Sequence, residues 1–278
     1  MKHILTLAFL CLFVHASQAQ YINVMTYNIR LDLESDGINK WEKRQESVVE
    51  LIKYYEPDIF GVQEAQHHQL NYLNNELEAY SYIGVGRDDG KTGGEYSAIF
   101  YNSAKYEVSH DSTIWLNENG EMGKLGWDAA YPRICTYGLF ENTNTHHKTW
   151  VFNTHFDHIG NTAREESAKL ILRTIKKVNS ENLPVILTGD FNLTPESKPI
   201  QTIKAKMKDS YDVSKKTPYG PKGTFTGFDP NLVPENTIDY IFVTGFEVES
   251  IRHIDDKRAD NFFVSDHLPI YCILKAYE

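Results

Sequence analysis

P-V-I-L-T-G-D-F-N, residues 184–192, decides how the chain is interpreted, because an apolar run ends there at a glycine followed by an aspartate and an asparagine. Residues 185–187 are typical of a strand buried on both faces, and Gly189 would let the backbone turn sharply beyond it. Strand alternation directs the side chains of Asp190 and Asn192 to the same side, so one can act as a base and the other as a hydrogen-bond donor. The alternative is a helix cap or an Asx-turn that closes a core strand.

Length and composition bound the number of domains. The chain has 278 residues, of which 41% are hydrophobic and 24% charged, so a sizeable core is available. Neither an internal repeat nor a low-complexity linker divides the sequence. We therefore expect a single domain over residues 20–278.

Residues 1–19 are predicted to be a secretory signal peptide. Lys2 precedes an apolar run over residues 4–14, and A-S-Q-A at 16–19 supplies a small-x-small cleavage pattern. The run is too short to span a bilayer, and no later stretch is long enough, so we expect no stable membrane insertion. The mature protein would then be exported to the periplasm or the extracellular space.

The charge balance and the cysteines limit the partners and the redox chemistry. Removing the signal peptide takes away Lys2 and lowers the formal charge from −10 to −11. Such an acidic chain is a poor candidate for holding long nucleic acids, which requires a broad basic surface. Cys135 and Cys272 each lie in an apolar run and form either two buried thiols or one disulfide; the thiols are favoured, since a domain of this size needs no staple.

Hydrophobic periodicity predicts a mixed order of helices and strands. Helices are expected over residues 41–55, 67–77, 163–178 and 199–207. Strands are expected over residues 21–28, 58–64, 81–85, 97–101, 106–115, 133–140, 149–153, 185–187, 237–243, 247–253 and 269–275. The polar, glycine-containing stretch 116–131 is typical of a binding loop.

The order of these elements predicts the fold class. Segments of β-α-β order in both halves flank strands that come in hairpins, which indicates an α/β (α+β) protein. The expected architecture is a four-layer α/β/β/α sandwich of two mixed β-sheets with outer helices. Because central strands of both halves end in polar residues, a shared site is expected along one edge of the sandwich.

Six short segments place polar groups where strands end. They are Asn28 in T-Y-N-I-R, Glu64 in G-V-Q-E, His155 in N-T-H-F-D-H, Asp190 and Asn192 in T-G-D-F-N, Asp239 in T-I-D-Y-I-F, and Asp266 and His267 in V-S-D-H-L-P. In this order and at these intervals the segments resemble the endonuclease/exonuclease/phosphatase superfamily with its deoxyribonuclease-I-like fold, in a secreted bacterial-type member. The resemblance covers essentially the whole mature chain, and it is specific because all six segments occur together.

Hydrolysis of a phosphate ester requires a metal to neutralise charge, a base to activate water and a donor to the oxygens. Glu64 is a hard oxygen ligand suited to Mg²⁺, with Mn²⁺ as an alternative ion. The resemblance implies that Asn28 and Asp266 lie beside Glu64 at the metal. It makes residues 20–278 one catalytic domain.

The two histidines require partners that orient them. The resemblance implies that Asp239 orients His267, and that this pair binds phosphate or stabilises the transition state. It implies more weakly that Glu95, in G-E-Y-S-A-I-F-Y, orients His155.

The remaining candidates bind water or substrate. Asp190 would orient or deprotonate the attacking water, and Asn192 would donate to a non-bridging oxygen. Arg133 and Arg164 are candidate phosphate clamps, because a guanidinium matches phosphate oxygens. From the 116–131 loop, Trp127 and Tyr131 could stack on a ring of the substrate.

The sequence as a whole therefore predicts an exported, Mg²⁺-dependent phosphoesterase in which water attacks the phosphorus of a phosphodiester or phosphomonoester directly. A small or single-stranded substrate is favoured over duplex DNA, and a monomer is favoured. One alternative is a non-catalytic protein that binds phosphate ligands on the same fold. Another is a hydrolase of lipid or sugar phosphates, as in sphingomyelinases and inositol phosphatases, since fold alone does not choose a substrate.

Overall fold

The computed structural model describes residues 21–277, so the predicted signal peptide at 1–19 lies outside the described residues. The α-helices are α1 (Trp41–Tyr55), α2 (His67–Glu76), α3 (Asn161–Val178), α4 (Lys198–Lys204) and α5 (Ser210–Val213), and a 3-10 helix spans Glu34–Asn39. The strands are β1 (Tyr21–Asn28), β2 (Ile59–Ala65), β3 (Tyr80–Ile83), β4 (Tyr96–Asn102), β5 (Tyr106–Trp115), β6 (Ile134–Asn142), β7 (Lys148–His155), β8 (Val185–Asp190), β9 (Lys208–Asp209), β10 (Asp239–Thr244), β11 (Phe246–His253) and β12 (Ile270–Ala276).

The strands form two six-stranded sheets. The first has the order β11-β12-β1-β2-β4-β3 and the second the order β5-β6-β7-β8-β10-β9. In each sheet one central pair is parallel, β1 with β2 and β7 with β8, while the other pairs are antiparallel. Both sheets are therefore mixed, as predicted.

Three apolar clusters separate the layers. One packs β1, β2 and β4 against α1 and α2, through residues such as Val48, Phe60 and Leu70. A second lies between the sheets and includes Val24 and Ile186. The third, whose members are mainly aromatic and aliphatic residues of β7, β8, β10, α3 and α4, covers the outer face of the second sheet. The predicted α/β/β/α sandwich is confirmed.

Polarity changes along the layer between the sheets. In β8, Ile186 lies in the inter-sheet cluster, Thr188 is bonded to Asn153, and Asp190 ends the strand at one edge of the sandwich. Because side chains at i and i+2 share a face, alternation alone places all three in the same layer. The layer thus passes from apolar through uncharged polar to charged residues, and the charged end is the edge where a site was expected.

A buried hydrogen-bond network joins the two sheets below that edge. Asn153 Nδ2 donates to the carbonyl oxygens of Val62 and Ala98, both at 2.9 Å, and its Oδ1 accepts from Gln63 Nε2 at 2.7 Å. A Cβ atom on Gly61 would lie 2.4 Å from Asn153 Oδ1, so the network requires glycine there. Without this network, its buried polar groups would lack hydrogen-bond partners, which would destabilise the fold.

The structure revises the prediction for Gly189 and decides between the two alternatives for the cysteines. Gly189 lies inside β8 instead of turning the chain, and a Cβ atom there would lie 2.3 Å from the carbonyl oxygen of Thr154 on the neighbouring strand. Close strand approach, not a turn, therefore explains this glycine. Cys135 and Cys272 are both buried and unpaired, as favoured.

Within residues 21–277, no helix is long and apolar enough to cross a membrane.

Candidate active site

A cleft of about 680 Å³ lies at the charged edge of the sandwich. Most of the predicted site residues line it, namely Glu64, Tyr131, Arg133, His155, Asp190, Asn192, Asp266 and His267, together with Glu95. Asn28 and Asp239 lie directly behind this surface and bond to residues that line it. Trp127 is outside the lining.

Glu64 reaches the cleft through an irregularity in β2. By alternation from Val62, which packs towards α1 and α2, Glu64 would face the helices. The pairing of β2 with β4 shifts register between Gln63 and Ala65, and Glu64 has a left-handed φ of 62°. This bulge re-aims the carboxylate to the sheet edge, and the strained backbone is a feature that clusters at functional sites.

Asn28 connects two carboxylates. Its Nδ2 donates to Glu64 Oε1 at 3.1 Å and to Asp190 Oδ2 at 3.0 Å, and all three residues are buried. Glu64 Oε2 also accepts from the backbone N–H of Leu31 at 3.1 Å. Asn28 thereby holds Glu64 of the first sheet and Asp190 of the second sheet next to each other.

Asp266 completes the acidic face of the cleft. Its Oδ2 and Glu64 Oε2 lie 3.7 and 3.8 Å from the same atom, Arg30 Nη1. The segment is fixed to β1, because Ser265 Oγ donates to the carbonyl oxygen of Asn28 at 2.8 Å. Burial, then the negative charge of Glu64, raises the pKa of Asp266 against the opposing effect of His267.

His267 is held by Asp239, as the resemblance implied. His267 Nδ1 donates to Asp239 Oδ2 at 2.9 Å, and His267 Nε2 lies 3.7 Å from Asp190 Oδ2. Burial alone would lower the pKa of His267, but Asp239 and Asp190 raise it well above the ordinary value. The two carboxylates therefore favour the charged imidazolium.

Asp190 combines two geometries that the sequence left as alternatives. It ends β8 and lines the cleft, and its Oδ1 also accepts the backbone N–H of Asn192 at 2.9 Å, which closes an Asx-turn. Asn192 follows the strand with a left-handed φ of 51°. Burial, and then the charge of Asp239, raises the pKa of Asp190 to about 7. A carboxylate with this pKa can exchange a proton near neutrality.

His155 has a different partner from the one predicted. Asn192 Nδ2 donates to His155 Nε2 and to the carbonyl oxygen of Phe156, both at 3.1 Å, so the amide orients this histidine. Glu95 Oε2 lies 3.8 Å from His155 Nδ1, beyond hydrogen-bond distance, because the Glu95 carboxylate pairs with both terminal nitrogens of Arg87. Burial, then the charge of Arg133, holds the pKa of His155 well below its usual value.

The aromatic and basic wall of the cleft differs in part from the prediction. Tyr131 is 51% exposed, stacks on His158 and lies over the guanidinium of Arg87. The Arg164 guanidinium donates to carbonyl oxygens of residues 158, 159 and 192, so it braces the loop and lies outside the cleft lining. Trp127 is half-buried, and its backbone N–H donates to Glu118 Oε1.

Several cleft residues were missed from the sequence. Arg87 follows no motif, and its partner Glu95 was assigned elsewhere. Arg30 is part of T-Y-N-I-R, and its positive charge two residues after Asn28 could have identified it as a cleft residue. Phe225 packs edge-on against His267, and the backbone around Thr226 donates twice to the carbonyl oxygen of Asp266. The glycine-containing stretch T-F-T-G-F at 224–228 gave no sign of this role.

The donor atoms fit a divalent cation. Glu64, His155 and Asp190 form one group in which a ligand atom of each lies within 4.8 Å of the others, and Asp190, Asp239 and His267 form a second. The oxygens of Glu64, Asp190 and Asp266 are hard ligands of the kind that Mg²⁺, Mn²⁺ and Ca²⁺ prefer. The cleft thus brings a cation site, a carboxylate base and an imidazolium into one place, a set suited to hydrolysis of a phosphate ester.

Known proteins are similar to this chain in sequence and in fold. Residues 25–267 match the model of the Endonuclease/Exonuclease/phosphatase family. A structure of an endonuclease/exonuclease/phosphatase from Bacteroides vulgatus is 40% identical, with a TM-score of 0.87 over 93% of this chain and 100% of that one. A mannosyl-6-phosphatase of Bacteroides thetaiotaomicron is 38% identical, with a TM-score of 0.87 over 91% of this chain and 99% of that one.

A more distant relative is a probable RNA exonuclease of Saccharomyces cerevisiae, 28% identical over 66% of this chain. The match spans 39% of the yeast protein's length. With the family match over most of its length and the site described above, the chain belongs to the endonuclease/exonuclease/phosphatase family of phosphate-ester hydrolases.

Proposed function

We propose that the protein is an exported, Mg²⁺-dependent phosphoesterase that hydrolyses a small phosphate ester by direct attack of water, without a covalent enzyme intermediate. The observation that carries the proposal is the environment of Asp190. Its carboxylate is buried, lies 3.5 Å from His155 and 3.7 Å from His267, and has a pKa of about 7. A base with that pKa suits the activation of water near neutral pH.

The acidic face supplies the proposed metal site. Glu64, Asn28 and Asp266 would hold Mg²⁺, in keeping with the preference of this ion for a few oxygen ligands and several waters. When bound, the ion supplies positive charge that stabilises the phosphate oxygens in the transition state.

The other residues would act on water and phosphate. Asp190 orients the attacking water and accepts its proton. His267, kept protonated by Asp239, donates from Nε2 to a phosphate oxygen, since Nδ1 is occupied at 2.9 Å. His155, oriented by Asn192, and Arg133 line the same cleft and would contact the phosphate. Each donor stabilises charge that grows in the transition state.

Substrate choice is the less constrained part of the proposal. The mature chain is acidic, with a formal charge of −11 once Lys2 is removed, which disfavours duplex DNA. The 38% identity to a mannosyl-6-phosphatase supports a small phosphate ester, and the 28% identity to a probable RNA exonuclease supports a single-stranded nucleic acid. The half-exposed ring of Tyr131 would contact the group esterified to the phosphate, with Trp127 in the adjoining loop.

A panel of substrates tests the proposal. Mature protein would be assayed in Mg²⁺ and in EDTA against sugar phosphates, single-stranded RNA and DNA, duplex DNA, cyclic dinucleotides and sphingomyelin. We expect turnover of small phosphate esters in Mg²⁺ only. Tight binding without turnover of any member would instead support a phosphate-binding protein, although no predicted catalytic position is missing from this chain.

Export is tested separately. We propose that residues 1–19 are removed on secretion. N-terminal sequencing of the protein from the periplasm or medium should begin at Gln20, and retention of the full-length chain in the cytoplasm would contradict export.

A further inference from the structure

Arg133 is a buried cation with unused hydrogen-bonding capacity. Arg133 is 5% exposed to solvent, and it lines the cleft. Neither Nε nor Nη1 has a hydrogen-bond partner within residues 21–277. Other arginines of the described chain leave a buried Nε unpaired, but Arg133 also leaves a terminal guanidinium nitrogen unpaired.

The neighbours of Arg133 do not satisfy it. Asp157 Oδ1 is 3.6 Å from Nε, too far for a hydrogen bond, and this carboxylate already accepts backbone N–H groups of residues 130, 131, 159 and 160. Nη2 lies 3.4 Å from His158 Nδ1. Glu95, another acid that lines the cleft, is paired with Arg87. A buried guanidinium left in this way is costly unless a ligand completes it.

The position of Arg133 distinguishes two kinds of phosphate ester. A phosphodiester has two terminal oxygens and one negative charge, which the proposed metal and His267 can serve. A phosphomonoester has a third terminal oxygen and, near neutral pH, a second negative charge. Arg133 lines the same cleft as Glu64 and Asp266 and leaves part of its guanidinium unpaired, and a guanidinium is a donor that suits phosphate oxygens.

We propose that Arg133 binds the third terminal oxygen of a phosphomonoester dianion, so that the substrate class of this site is the phosphomonoester, not the diester. This inference rests on the proposed hydrolysis at the same site. It adds a selectivity that hydrolysis alone does not require. Discrimination arises because a diester bound at the same place leaves the guanidinium without its partner.

Two substrates with one leaving group test the selectivity. The rates of hydrolysis of 4-nitrophenyl phosphate and methyl 4-nitrophenyl phosphate would be compared in Mg²⁺ for wild type, Arg133→Gln and Arg133→Lys. We expect Arg133→Gln to lower kcat/KM for the monoester by about 10²-fold and for the diester by less than about fivefold. Arg133→Lys should give an intermediate loss, because lysine keeps the charge but not the paired donors.

Matched controls keep the result interpretable. Arg173→Gln removes an exposed arginine of α3 that lies away from the cleft and should change neither rate. Thermal unfolding of each variant checks that it is folded, and Arg133→Lys serves if Arg133→Gln is not. Equal losses for both substrates, or no loss for either, would overturn the inference.

A binding measurement separates this inference from the proposed hydrolysis. Calorimetry in Mg²⁺ would compare inorganic phosphate with dimethyl phosphate, which resembles a diester. Wild type should bind inorganic phosphate more tightly, and the preference should fall at least tenfold in Arg133→Lys. If wild type hydrolyses neither nitrophenyl ester but shows this preference, the proposed hydrolysis fails and the assignment of Arg133 stands. Equal affinity for the two anions in wild type would overturn the assignment.

Discussion

Asp239 Oδ2 lies 2.9 Å from His267 Nδ1, with both side chains buried, and this hydrogen bond leaves His267 Nε2 directed towards Asp190. The two residues come from β10 and from the loop before β12, 28 positions apart. The bond fixes the tautomer and the ring orientation, and the carboxylate keeps the imidazole charged.

Asp239→Asn should lower kcat by about 10²- to 10⁴-fold with little change in KM, because a neutral amide neither orients nor charges His267. The pKa of His267 should fall, since Asp239 is the largest of the charges that raise it. Steady-state kinetics and NMR titration of the imidazole measure the two effects. Asp255→Asn, at an exposed position, is the control. An unchanged kcat would remove Asp239 from the account.

The activity should rise with pH through the titration of Asp190. The ionised carboxylate is the base, so kcat/KM increases about tenfold per pH unit below the pKa and levels off above it. Burial and Asp239 place that pKa at about 7 in the protein without metal. A bound divalent cation favours the ionised form, so the midpoint in Mg²⁺ should lie at or below 7. A rate that falls between pH 5 and 7 would rule out Asp190 as the base.

Glu64→Gln should weaken Mg²⁺ binding by about 10- to 100-fold, because the amide removes a charge and one hard oxygen ligand from the cleft. Calorimetric titration of metal-stripped protein gives the affinity without relying on turnover. Glu50→Gln, on the exposed side of α1, should bind Mg²⁺ as wild type does. Unaltered affinity in Glu64→Gln would place the metal elsewhere.

Asn153→Ala should destabilise the fold by about 3 kcal/mol or more, since it leaves several buried groups without partners at about 1–3 kcal/mol each. These groups are the carbonyl oxygens of Val62 and Ala98 and the side chain of Gln63. Urea denaturation measures the loss, and Asn144→Ala in an exposed turn is the comparison. Equal stability of the two variants would show that the network between the sheets contributes little.

The sequence predicted the layers well because strand alternation and helical periodicity report burial directly. Asn28, His155 and Asp190 each end a strand and Asp239 begins one, all on the inner face of a sheet, so alternation alone brought them to one edge. Alternation alone predicts the wrong direction for Glu64, because it places this side chain on the face that packs against the helices. A bulge in β2, where Glu64 has a φ of 62°, turns the carboxylate back to the cleft. Backbone irregularities of this kind depend on tertiary pairing and leave no local pattern.

Pairings between distant side chains were predicted less well than the positions of the side chains. Glu95 was assigned to His155, but Arg87 takes its carboxylate, and Asn192 takes the histidine. Which residue pairs with Glu95 and which with His155 depends on the path of the loop over residues 84–95 and on the Asx-turn after β8. Neither follows from the identity of the residues alone.

The most direct test of metal-dependent attack by a water that Asp190 activates is a Mg²⁺ titration of 4-nitrophenyl phosphate and methyl 4-nitrophenyl phosphate hydrolysis by metal-stripped wild type, Asp190→Asn and His267→Ala. We predict that wild type is inactive without metal and gains activity on at least one of the two esters saturably with Mg²⁺. Both variants should stay at least about 10³-fold below it at saturating Mg²⁺. Turnover in EDTA, or activity retained in both variants, would contradict the account.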